Sequence, residues 1–156
     1  MPLRFERYDA VPEDDARILF GRDDDIWGME GLGIVCRDAE VRFVAYDDSG
    51  PVSHATLLSH KVSIEGRQLM IAGLAGVVTV PAATGSGYAT AVVEVSMEYA
   101  REELSSDFGF LFCHDNLIPF YTEVRLAVYC RSRRDRSTLR QDLLSRELYG
   151  HISQGQ

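Results

Sequence analysis

Val77-Val78-Thr79-Val80-Pro81-Ala82-Ala83-Thr84-Gly85-Ser86-Gly87-Tyr88-Ala89 is an apolar run that stops at a proline, turns through two glycines and enters a helical pattern. The β-branched residues before Pro81 suit a strand, and proline, with a fixed φ and no N–H, ends it. Beyond the turn, Ala89, Val92, Val93, Ser96, Met97, Ala100 and Leu104 recur at helical spacing, while Glu94, Glu98, Arg101 and Glu102 take the other side. The segment is therefore predicted to be a strand, a glycine turn and an amphipathic helix of about four turns or more. Such a turn is an anion cradle. Gly85 and Gly87 let the backbone approach a ligand closely, and the free N–H groups of the first helical turn, at Tyr88 and Ala89, face the same spot as the positive helix end. A phosphate or pyrophosphate fits there. Glycine pairs also turn chains with no ligand involved, so on these residues alone both readings stand.

Upstream, residues 41–46 (VRFVAY) read as a strand, Asp47-Asp48-Ser49-Gly50 as a turn, and residues 52–64 as a long second arm ending at Glu65-Gly66. The third arm, residues 68–80, is the strand that enters the cradle, so the three form an antiparallel meander. Earlier still, Leu3, Phe5 and Tyr8 mark a first strand. A helix is predicted over residues 11–20, with Glu13, Asp14 and Asp15 at its positive end. Residues 21–33, with Asp23, Asp24, Asp25, Trp27 and Glu30 among glycines, read as a loop or broken helix.

Downstream, residues 108–113 (FGFLFC) are a short, wholly apolar strand of the kind buried on both faces, and a helix is expected over residues 116–125. The order predicts an α/β (α+β mixed) domain, a central, mostly antiparallel mixed sheet flanked by helices. One domain over residues 1–128 suits a chain of 156 residues, followed by an arginine-rich appendage, 129–156, predicted to be helical.

Composition narrows the function classes. The net charge of -8 disfavours nucleic acid and favours cationic partners. Residues 1–124 carry 21 acidic and 9 basic side chains, against 3 and 7 in residues 125–156, so the basic tail has two docking surfaces of opposite charge, the acidic body or a second copy, which would give a homodimer. No apolar run approaches the roughly 18 residues of a membrane span, and the start has no secretory signal pattern, so the cytoplasm is the expected location. Cys36, Cys113 and Cys130 form neither a disulfide framework nor a metal knuckle, and no metal is expected. The adjacent Cys113 and His114 make no dyad by sequence proximity, and a packed thiol is expected at Cys113. The turn lacks both the GxGxxG of a dinucleotide fold and the Gly-Lys-Ser/Thr ending of a Walker loop.

Val80-Pro81 followed by Thr84-Gly85-Ser86-Gly87-Tyr88-Ala89 resembles motif A of the GCN5-related N-acetyltransferase (GNAT) family, V-x-P then Q/R-x-x-G-x-G/A, with Thr84 in the Gln/Arg position. Phe120-Tyr121-Thr122-Glu123-Val124-Arg125-Leu126 resembles that family's later F-Y-x-x-x-G-F/W, with Arg125 and Leu126 replacing the glycine and aromatic. The spacing from Leu111-Phe112-Cys113 to Pro119-Phe120-Tyr121 is faintly similar to the aminoglycoside 2'-acetyltransferase and nodulation acyltransferase branch.

The resemblance implies an acyl-CoA-dependent N-acyltransferase that moves acetyl from acetyl-CoA to a primary amine of a small cationic acceptor by direct attack. It implies a thioester carbonyl held at a strand amide near Val78, among Val78, Thr79 and Val80, and a pyrophosphate held by residues 84–89. Tyr121 then protonates the departing thiolate; as a bare residue it equally suits a half-buried aromatic on an amphipathic helix. Asn116 reads either as a pantetheine contact or, with Asp115, as a helix cap. Family members place a glutamate on the cradle strand, whereas Ala72, Gly73, Leu74, Ala75 and Gly76 carry no titratable group. His54 and His60, six apart on one strand face, offer His60 as a base acting through water, against the structural role most strand histidines have. Asp25, Trp27 and Glu30 fall where the family builds its acceptor site, or form a solvated acidic loop. With Thr84, Arg125 and the empty strand in place, the alternative is a non-catalytic acyl-CoA-binding or dimerisation module.

Overall fold

Two tight turns organise the sheet. In the computed structural model, which describes residues 3–21 and 38–124, strand β2 (Val41–Asp47) turns through Asp48-Ser49 into β3 (Gly50–Ile64). Asp47 closes that turn by accepting from the Ser49 N–H and hydroxyl at 2.8 and 2.6 Å, the local bonding that makes Asp a turn former. β3 turns through Glu65 and Gly66, at φ 50 and 79, into β4 (Arg67–Thr79). Positive φ at both central residues gives a hairpin whose twist matches that of its strands.

β1 (Arg4–Tyr8) pairs antiparallel with β2, and β5 (Phe108–Phe110) pairs parallel with β4, so the sheet runs β1-β2-β3-β4-β5 with one parallel edge. This is the predicted mixed, mostly antiparallel sheet. Helix α1 (Glu13–Phe20) and helix α2 (Tyr88–Glu102) cover its two faces. Adjacent β2 residues show this. Val44 packs with Leu19 of α1, whereas Phe43 meets Tyr99 of α2 edge-on, 5.4 Å between ring centroids. The α2 side holds Ala55, Leu57, Ala72 and Leu74 against Val92, Val93 and Ala100, all buried. Leu104, placed by its spacing on the helix, lies beyond the observed end at Glu102.

The chain divides into two compact units, Met1–Phe112 and Cys113–Gln156. Of the second, a 3-10 turn (Asp115–Leu117) and helix α3 (Ile118–Glu123) are described. The expected basic appendage, 129–156, lies outside the described residues, as do residues 22–37. No helix among the described residues is long and apolar enough to cross a membrane.

One expectation is overturned. The FGFLFC run is not buried on both faces. Only Phe108, Gly109 and Phe110 form a strand, at the sheet edge, and Phe110 and Phe112 are 48% and 89% exposed. Among the described residues β5 has one neighbouring strand, and these rings pack edge-on against each other, 4.8 Å apart.

Candidate functional site

β4 outruns its edge partner. It pairs with β5 only at Ile71, Ala72 and Gly73, so residues 74–79 continue with no strand on that side among the described residues. On the other side the ladder with β3 is interrupted. His54 faces Val78 and Thr56 faces Ala75, so three steps of β4 span two of β3, a bulge with Gly76 at φ 58. Only glycine takes that conformation without strain. A Cβ there would also stand 3.2 Å from the Thr56 hydroxyl and 3.4 Å from the His54 ring.

Beyond the bulge, the Val80 N–H donates to the Val52 carbonyl at 2.9 Å. Because successive residues of a strand address opposite sides, the N–H of Thr79 faces the open edge. That amide lies beside Val78, where the resemblance puts the thioester carbonyl.

The cradle follows directly. Pro81–Ala83 make a 3-10 turn, Thr84 is extended, Gly85 has φ 83, and Gly87, at φ 80 and ψ 4, is the left-handed residue before α2. No side chain among the described residues caps α2, and its first internal bond runs from the Ala91 N–H to the Gly87 carbonyl. The N–H groups at residues 87–90 therefore have no acceptor within the helix. Among the described residues, a Cβ built on Gly85 or Gly87 meets nothing within 4 Å, so the turn leaves room for a ligand's close approach. Thr84 bonds back to the Val80 carbonyl at 3.5 Å, so it does not reach outward as a longer donor would. Tyr88 ties the helix start to the β2–β3 turn through Asp47, at 3.1 Å. These residues suit the diphosphate and amide-rich arm of acetyl-CoA: uncapped amides and a helix dipole for the anion, an open strand edge for the arm.

The two histidines share a strand face but not an environment. His60 is exposed, its ring 3.9 Å from where a Cβ of Gly73 would lie. His54 is 3% exposed, with the Phe20 ring edge-on at 4.9 Å and its Nδ1 2.7 Å from the Gly76 carbonyl. A carbonyl only accepts, so Nδ1 carries the proton. Nε2 is then a bare, buried lone pair without a partner among the described residues. Burial holds this imidazole down at about 4 from its usual 6.5.

In the second unit, Tyr121 is buried on α3 with its ring edge-on to Phe120. Burial, and then the neighbouring Cys113, push its hydroxyl above the usual tyrosine range, so it is protonated at neutral pH. Cys113 itself is half-buried rather than packed away. Asn116 is exposed, and no side chain among the described residues caps either the 3-10 turn or α3, so the expected caps by Asp115 and Asn116 are not formed; His114 and Leu117 occupy the cap positions. Asp25, Trp27 and Glu30 lie outside the described residues.

Sequence reasoning missed the bulge and the side chains around it. The available signal was Gly76, an isolated glycine inside a strand pattern, which marks bulges.

The fold is that of acetyltransferases. The structure is similar to glucosamine-6-phosphate N-acetyltransferase from Arabidopsis thaliana, at 12% identity and TM-score 0.61 over 86% of this chain and 98% of that one. It is similar to an acetyltransferase from Trypanosoma brucei at 17% identity, with TM-score 0.61 over 86% and 99%. It also matches an aminoglycoside acetyltransferase from an uncultured soil metagenomic sample, solved with trehalose, at 14% identity and TM-score 0.59 over 83% and 91%. The sequence signature described as "Acetyltransferase (GNAT) domain" matches residues 37–124, more than half of the sequence. The chain belongs to the GNAT acetyltransferase family. No curated protein matches it by sequence.

Proposed function

We propose that this chain transfers an acetyl group from acetyl-CoA to a primary amine of a small cationic acceptor. The observation that carries the reading is the uncapped start of α2 behind Gly85 and Gly87, continuous with a bulged strand whose far edge is open. Acetyl-CoA, when bound, supplies an acetyl group activated as a thioester.

The chain's own groups divide the remaining work. Amides of Gly87, Tyr88 and Ala89 hold the diphosphate, with Thr84, Gly85 and Ser86 beside them. The open-edge amide of Thr79, flanked by Val78 and Val80, polarises the carbonyl under attack. Tyr121, kept protonated by burial, gives its proton to the departing sulfur. His60, exposed on β3, takes the proton of the incoming ammonium through water. Asn116 contacts the pantetheine arm, and Asp25, Trp27 and Glu30 receive the acceptor, whose positive charge the acidic body attracts.

A second reading, an acyl-CoA-binding module without turnover, is favoured by Thr84 turning inward and by the lack of a titratable side chain at residues 72–79 of β4. Calorimetry with acetyl-CoA followed by thiol release over a panel of aminoglycosides, amino sugars and polyamines separates the two. Tight binding with release on at least one amine is expected. Binding without release on any amine supports the second reading, and no binding sinks both.

A further inference from the structure

The bulge in β4 decides which amides reach the open edge. A slip of one residue would exchange the inward- and outward-facing amides of residues 77–79. Something must therefore hold it in register. Two consecutive β3 residues reach its carbonyls from opposite faces of the sheet: the Ser53 hydroxyl donates to the Val78 carbonyl at 2.9 Å, and His54 Nδ1–H donates to the Gly76 carbonyl at 2.7 Å. Ser53 is fully buried and also meets the Thr79 hydroxyl at 2.9 Å. The Gly76 carbonyl sits in the interrupted part of the β3–β4 ladder, and His54 supplies its donor from a side chain. We propose that His54, assisted by Ser53, is a positioning residue for acetyl transfer: it clamps the β4 bulge so that the Thr79 amide faces the open edge where the acyl carbonyl binds.

The assignment rests on the acetyltransferase reading, but its geometry is independent of the acceptor. His54 contacts neither acyl donor nor acceptor and acts through the backbone it holds. Its neutral form suits the task, since a bare Nε2 leaves a single donor, committed to Gly76.

Two substitutions with opposite defects test this. His54→Phe keeps a ring against Phe20 and removes the donor, whereas His54→Asn loses most of the ring but can place an amide N–H where Nδ1–H was. The expected result is a drop in kcat of about 10-fold or more for His54→Phe, with affinity for unacylated CoA within about 2-fold, and kcat within about 3-fold of wild type for His54→Asn. A core-packing role predicts the reverse order. Amide exchange by NMR reads the clamp without any acceptor: rates at Val78 and Val80, whose N–H groups face β3, should rise about 10-fold or more over those of the β1–β2 ladder in His54→Phe but not in His54→Asn. Equal exchange in the two variants, or a folded His54→Phe with wild-type kcat, overturns the proposal. Should wild type turn over no amine, the transferase reading falls, and the exchange rates alone decide whether the clamp exists.

Discussion

Lowering the pH below 6.5 tests the buried imidazole directly. In the folded chain His54 is held at about 4, because a second ring proton would appear on Nε2, which is buried with no acceptor beside it among the described residues, and because the Arg42 charge adds a smaller push. Unfolded, it titrates near 6.5. Between those values the unfolded chain binds the extra proton, so stability rises with pH across the window. The His54 contribution is complete above 6.5, falls by about 1.4 kcal/mol per pH unit toward 4, and is flat below; the total loss is about 3 kcal/mol. That is a large share of the roughly 5–15 kcal/mol typical of a domain. The assay is urea unfolding from pH 7.5 to 4.5 on wild type and His54→Asn. Carboxylate titration is common to both chains and cancels in the difference. The expected difference curve is level above 6.5 and slopes below it. A level curve down to 4.5 would refute the reasoning, by showing either that the imidazole is hydrated or that an unseen donor or acceptor serves Nε2.

Three further outcomes follow from the same contacts. Gly87→Glu is expected to abolish acetyl-CoA binding in calorimetry, whereas Gly66→Glu, at nearly the same φ (79 against 80) and with similarly open space but on the far hairpin, should bind normally; equal behaviour of the two would remove the cradle. Tyr121→Phe should lower turnover by about 100-fold with acetyl-CoA affinity unchanged, while Tyr121→Ala also loses stability; a fully active Phe variant would make Tyr121 a packing residue only. Tyr46→Phe removes the hydroxyl that donates to Asp15 at 2.5 Å and meets the Tyr8 hydroxyl at 2.8 Å, so its urea midpoint should fall by the equivalent of about 1–2 kcal/mol, a loss that Asp15→Asn should share in part.

The meander, the cradle and α2 were legible in the residues because each is specified locally. Asp47 and Gly50 close one hairpin and Glu65-Gly66 the other, and the 3.6-residue recurrence of Val92, Val93, Ser96 and Ala100 is the face that is buried. The family followed from the same stretch, since Val80-Pro81 and the glycine turn lie close together in the chain. The apolar run at residues 108–113 was misread because a run of phenylalanines has the same composition whether a layer covers it or not; its position at the edge depends on pairing with Ile71, Ala72 and Gly73, more than thirty residues away.

What sequence alone could not decide is the difference between His54 and His60. Both stand on one face of β3 at even spacing, so periodicity treats them alike. Only the packing of an eight-residue helix over one end of that face buries the first against Phe20 and leaves the second exposed. The bulge is of the same kind. Gly76 could be seen in the strand, but which carbonyl it frees and which side chain captures it depend on the register between β3 and β4, a property of two strands that neither carries by itself.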